Sequence, residues 1–164
     1  MRWPRSTPPA VRLHDPQADA LLQDLLSRDA HRIHAASSQL ARTFSAPLLD
    51  ALAPHAELIE QACHGVQLGG ALVSNDVHLT AALRRLRHWR EGTGCLCALY
   101  PQYLFFRPQA LVEQGHVRLL DLGTAEDGWG ERHRVACSRC GRHWDATERE
   151  YHYLWWQWTP VDGH

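Results

Sequence analysis

Four of the five cysteines stand in two close pairs, Cys95-Leu96-Cys97 and Cys137-Ser138-Arg139-Cys140. Thiolates are soft ligands, and four of them at tetrahedral corners, each about 2.3 Å from a shared ion, make the closed shell typical of structural zinc. A C-x-x-C turn aims two sulfurs the same way, and the glycine that follows, Gly141, lets backbone amides approach them without a Cβ clash. The C-x-C pair is a less usual spacing. The gap between the pairs is longer than in compact ribbons, with room for a hairpin and the acidic loop from Asp121 to Trp129. The expectation is one Zn2+ held by Cys95, Cys97, Cys137 and Cys140, structural because four thiolates leave no position for water. His88, His133 or His143 in place of one cysteine is the alternative shell. Two disulfides, or unrelated free thiols, are the other readings. Cys63 stands alone and reads as a small buried apolar side chain.

Other residues offer less chemistry. The twelve histidines form no H-E-x-x-H, and most occur singly. His55-Ala56-Glu57 with Cys137-x-x-Cys140 has part of the zinc-deaminase pattern, but no proline precedes Cys137 and a strand-like segment follows Cys140. G-x-S-x-G, Walker-type and G-x-G-x-x-G motifs are absent, so no catalytic constellation is expected. Arg84-Arg85-Leu86-Arg87-His88-Trp89-Arg90 is the one dense basic stretch. On a helix its arginines fan over the exposed surface, either to grip phosphate or to pair with the acidic first half.

These residues need elements to position them. Asp15-Pro16 reads as an N-cap followed by proline at the first helical position. Leu22, Leu26, Ile33, Leu40 and Phe44 then recur at helical spacing, giving one long helix or two joined near Ser37-Ser38. Ser45-Ala46-Pro47 restarts a helix, Pro54 bends or divides it, and Gly65 with Gly69-Gly70 ends the run. Asn75-Asp76 opens a third stretch with Leu79, Leu83, Leu86 and Trp89 on one face, stopped by Gly92. Beyond Gly94 the segments 103–106, 117–120, 133–136, 143–145 and 151–158 are short, aromatic or β-branched, and separated by turn residues. They read as antiparallel strands. The fold class is therefore α+β. A flexible arm (1–14) precedes a helical region (15–92), a small zinc-ribbon-like β region (93–160) and a tail (161–164).

Composition adds bounds. The 164 residues carry a formal charge of −1, which gives no overall pull toward nucleic acid or an anionic membrane. All seventeen basic residues are arginine. The start has no continuous apolar run of a secretory signal, and no segment approaches a membrane span, so the expected location is cytoplasmic.

Cys137-x-x-Cys140-Gly141-x-x-Trp144, followed by Tyr151-His152-Tyr153-x-x-Trp156-x-Trp158, resembles the C-terminal pattern of small bacterial zinc-ribbon immunity proteins encoded beside polymorphic or secreted toxins. The likeness covers roughly residues 94–160. It implies a protein that binds one cognate toxin in a one-to-one complex, with no catalytic residue of its own. Under that reading Asp121, Glu126 and Asp127 supply charge for association, and Trp129, Trp155 and Trp156 are the candidate anchors. A zinc-ribbon regulator binding nucleic acid through Arg84 to Arg90 is the second reading, and a zinc-dependent enzyme the third.

Overall fold

The computed structural model describes residues 11–161. Most of the expected arm, residues 1–10, and most of the tail, 162–164, lie outside the described residues. Residues 11–13 of the arm dock onto the first helix: Gln23 Nε2 donates to Val11 O (2.8 Å) and the Leu13 N–H donates to Asp19 Oδ1 (3.0 Å).

Helix α1 (Pro16–Leu26) begins as its sequence dictates, with the Ala18 N–H donating to the Asp15 carboxylate at 2.7 Å. It ends at Ser27, where Arg28 takes a left-handed φ of 59°. Asp29 then caps α2 (Ala30–Arg42) by accepting from the Arg32 N–H at 2.9 Å. The break expected near Ser37-Ser38 therefore falls about ten residues earlier. Ser37 stays helical because its hydroxyl donates back to His34 O (3.1 Å), and the helix buries it completely. Pro54 divides the next run as expected: α3 (Ala46–Leu52) passes through a 3-10 turn (Ala53–His55) into α4 (Ala56–Cys63).

Helix α5 (Asp76–Glu91) lies along α2 and stops at Gly92, whose φ of 62° glycine adopts at no steric cost. Its inward face holds Leu83 and Leu86, as the spacing predicts, and also Arg85, which is 1% exposed. Arg85 donates from Nε to Ala41 O and from Nη1 to Thr43 O, both at 2.9 Å, so it closes the C-terminal end of α2. Its guanidinium stacks near Phe44 and Phe106.

The segment Tyr103–Phe106, expected as a strand, is a turn between a 3-10 helix (Leu96–Gln102) and α6 (Pro108–Glu113). Pro108 at the start of α6 fixes the change of direction. The turn still touches the sheet: Leu104 O accepts from the Trp156 N–H at 3.2 Å, and Phe106 O accepts from Trp158 Nε1 at 3.0 Å. Four antiparallel strands follow in the order β1 (Val117–Thr124), β2 (Glu131–Cys137), β3 (His143–Glu150) and β4 (Leu154–Pro160). Strand β4 begins at Leu154 rather than Tyr151. Pairing of Glu150 with Leu154 extends β3 and leaves 151–153 to make the turn.

The fold is α+β, with helices in the N-terminal half and the sheet in the C-terminal half. Both layers share one core. Tyr100, 1% exposed, sits at its centre with ring centroids 4.6 Å from Trp158, 5.1 Å from Phe106 and 6.0 Å from Trp144. These rings provide much of the apolar area that joins helices to sheet.

Candidate functional site

Two short pieces of backbone bring the cysteines together. Cys95 follows Gly94 in extended backbone and Cys97 lies in the first turn of the 3-10 helix that begins at Leu96. Cys137 is the last residue of β2, and the turn after it carries Cys140. That turn is closed by the Gly141 N–H donating to Cys137 O (2.9 Å), with φ of 75° at Gly141, and by the Cys137 N–H donating to Arg142 O (2.8 Å). The Ser138 N–H donates to His116 O (3.0 Å), which ties the turn to the residue before β1.

The four Sγ atoms lie within 4.8 Å of one another. Cys95 and Cys137 are 3.6 Å apart at sulfur, and Cys97 and Cys140 are 3.5 Å apart. Sulfurs at tetrahedral corners about 2.3 Å from one ion would be separated by about 3.8 Å. The cluster therefore fits a tetrahedral metal ion with little adjustment. Cys97 and Cys137 are buried, Cys95 is half-buried and Cys140 faces solvent.

Electrostatics set what the cluster needs before it can act as thiolates. Burial, reinforced by the neighbouring thiols, pushes the Cys97 thiol far up, and burial also raises Cys95. Burial raises Cys140 too, but the Arg142 N–H and the adjacent thiols outweigh it and hold this one below the ordinary range. Several thiolates cannot coexist here without a shared cation, which is the role a bound dication fills. A complete thiolate shell leaves no coordination position for water or substrate, so the arrangement suits holding chain segments together.

The histidines weighed as substitutes are not in the cluster. His88 bonds to Gly94 O and Thr93 Oγ1, and His133 bonds to Gln109 and Glu131. Cys63 is buried apart from the cluster, donating its thiol proton to Leu25 O at 3.3 Å.

Three of the four arginines of the basic stretch reach the surface as expected, and one turns inward. Arg85 points into the core, Arg87 pairs with Glu60 and Arg90 with Glu57, each at 2.7 Å. Arg84 donates to Gln102 O. The acidic first half meets this helix, which is the second of the two arrangements the charges allowed.

The residues expected at a partner surface separate. Asp121 lies in β1 and pairs with Arg132 at 2.7 Å, while Glu126 is exposed in the β1–β2 turn. Trp156 is 6% exposed, with its ring edge-on to His133, so it is a core residue and cannot serve as an anchor. Trp155 points to the opposite face and is half-buried. Asp127 and Trp129 do come together. Asp127 accepts from the Trp129 N–H (3.0 Å) and pairs with Arg149 (2.8 Å), and these bonds, the backbone one foremost, hold its carboxyl below the usual range.

Asp127 and Trp129 line a groove of about 610 Å³ together with Glu148, Glu150, Tyr151 and Leu154. Glu148, Glu150 and Leu154 escaped the sequence reading because they lie at the ends of β3 and β4 beside the turn, whose position depended on where β4 begins. The acidic alternation Glu148-x-Glu150 before an exposed tyrosine was the available signal. No helix among the described residues is long and apolar enough to cross a membrane. Compared with known proteins, the chain matches no family model, no curated protein and no solved structure.

Proposed function

We propose that this chain is a binding protein that neutralises a cognate toxin, with Cys95, Cys97, Cys137 and Cys140 holding a structural Zn2+. The observation that carries the reading is the exposed apolar surface around the groove. Trp129 is 79% exposed, Tyr151 78% and Leu154 61%, all at one end of the sheet. Large aromatics left in water and grouped around a concavity are the usual material of protein interfaces. The closed thiolate shell supports a structural ion, and zinc is the metal most suited to four cysteines. The metal would hold the knuckle after β2 against the 3-10 helix, and so fix the sheet that carries the groove. The resemblance over Cys137 to Trp158 supplies the immunity role, and the pairing of Arg87 and Arg90 with acids favours it over nucleic-acid binding.

The test is co-expression in a sensitive host with the toxin domain encoded next to this gene. Protection by the wild type, lost in Trp129→Ala while metal content and fold persist, is the expected result. A folded wild type that neither protects nor co-purifies with that domain would refute the role.

A further inference from the structure

The groove between the two sheet turns also has a charge pattern, and that pattern indicates what the partner presents. Its charged lining residues are Asp127, Glu148, Arg149 and Glu150. Arg149 is already committed, donating to Asp127 Oδ2 (2.8 Å), Gln157 Oε1 (3.2 Å) and Trp129 O (3.3 Å). Glu148 and Glu150 have no ion pair among the described residues. Two apart in β3, they stand on the same face of the sheet, beside the exposed Trp129 and Tyr151.

Carboxylates alone would be an ordinary solvated edge. Carboxylates in a concavity walled by an exposed indole and phenol attract a cation twice over, by charge and by the ring faces. The concavity also continues. Glu148 and Leu154 also line a second depression of about 350 Å³, whose other walls include Leu104, Phe105 and Trp156 and whose only further charges are Arg42 and Arg107. Charge thus reverses along the groove, from acidic through apolar to basic.

We infer that this groove receives an extended segment of the partner protein. Its arginine or lysine sits over Glu148 and Glu150 beside Trp129 and Tyr151, an apolar side chain lies against Leu154 and Phe105, and an acid faces Arg42 and Arg107. The inference rests on the reading of the chain as a binding protein and adds the chemistry its partner must show. The guanidinium is the better fit of the two cations, being weakly hydrated and able to stack on a ring while bonding two carboxylates.

Two blocked hexapeptides test it. One carries arginine, leucine and glutamate in that order, and its twin has citrulline in place of arginine. Binding to the metal-loaded full chain is followed by the NMR shift of the Trp129 indole N–H, assigned with Trp129→Phe. At low ionic strength the arginine peptide should bind about fivefold or more tightly than its twin, a ratio in the range of one exposed cation–π contact plus ion pairs. The preference should vanish in Glu148→Gln/Glu150→Gln, since a double-mutant cycle assigns it to those carboxylates. Equal binding of both peptides to the wild type would overturn the inference, as would a preference that survives the double substitution. The co-expression assay fails separately. A peptide preference without protection keeps the groove and rejects the toxin reading, whereas protection without a preference does the reverse.

Discussion

Replacing Cys137 with serine removes one sulfur from the cluster and, with it, the clamp between the end of β2 and the residues after α5. The two close sulfur contacts join positions 42 and 43 residues apart. A cross-link closing a loop of that length withholds about 4 kcal/mol of chain entropy from the unfolded state. A single ion held by the four sulfurs would make both closures, so this figure covers the clamp as a whole. A domain of this size is stable by roughly 10 kcal/mol, so losing the clamp should weaken the fold without abolishing it. The aromatic contacts of Tyr100 with Trp144 and Trp158 keep the sheet docked. With a shift of about 2–4 °C per kcal/mol, the melting temperature should fall by roughly 8–16 °C. The assay is a thermal melt in reducing buffer with metal measured on the same sample, for wild type, chelated wild type and Cys137→Ser. Chelated protein, shown to be metal-free, that melts within about 2 °C of the loaded form would refute the reasoning. Cys63→Ala should leave metal content unchanged.

Gly130 has φ of 80°, and a Cβ there would run into the Glu148 carbonyl, so Gly130→Ala should cost about 2 kcal/mol or more in urea unfolding; an unchanged midpoint would refute that. Burial, with the nearby charges of His34 and Arg42, lowers His78 from 6.5 to about 4, and its Nδ1 lies 2.6 Å from the Tyr103 hydroxyl. Below pH 6.5 the unfolded chain takes up this proton and the folded one does not, so stability present at pH 7 is lost as pH falls toward 4. His116, which burial also lowers, contributes in the same window, so His78→Phe should reduce the loss between pH 6.5 and 4.5 by about 2 kcal/mol without removing it, and an unaltered slope would reject the assignment.

The helix starts were legible because their signals are local. Asp15 caps α1 with its own carboxylate on an N–H three residues on, and Pro54 divides a helical run because it falls in its interior. The four-cysteine cluster was legible for a related reason, since a paired cysteine spacing encodes a turn and a donor set at once. Tyr103–Phe106 was misread because four aromatic and aliphatic residues in a row suit a strand and a buried turn equally. What decided between them was the docking of Phe106 and Tyr103 against Tyr100 and α5, which is a tertiary matter. Arg85 was hidden for the opposite reason. A charged residue is expected outside, and only the open carbonyls at the end of α2 make its burial favourable. The groove lay further still from view, since it exists only where two hairpin turns meet.

The sheet has two unlike margins. The outer side of β4 is met by the Leu104 carbonyl, whereas no described segment hydrogen-bonds to the outer side of β1. Leu119, Leu120 and Leu122 of this strand are exposed, so among the described residues the outer side of β1 is open to strand addition by a second copy. The same strand carries its own brake. Leu120 is the extra residue of a bulge, which breaks the even ladder an incoming strand would copy, and Arg118 and Asp121 place charge beside it. Salt screens those charges but leaves the bulge in place, so concentrated protein at high ionic strength should form limited oligomers through β1 rather than fibres.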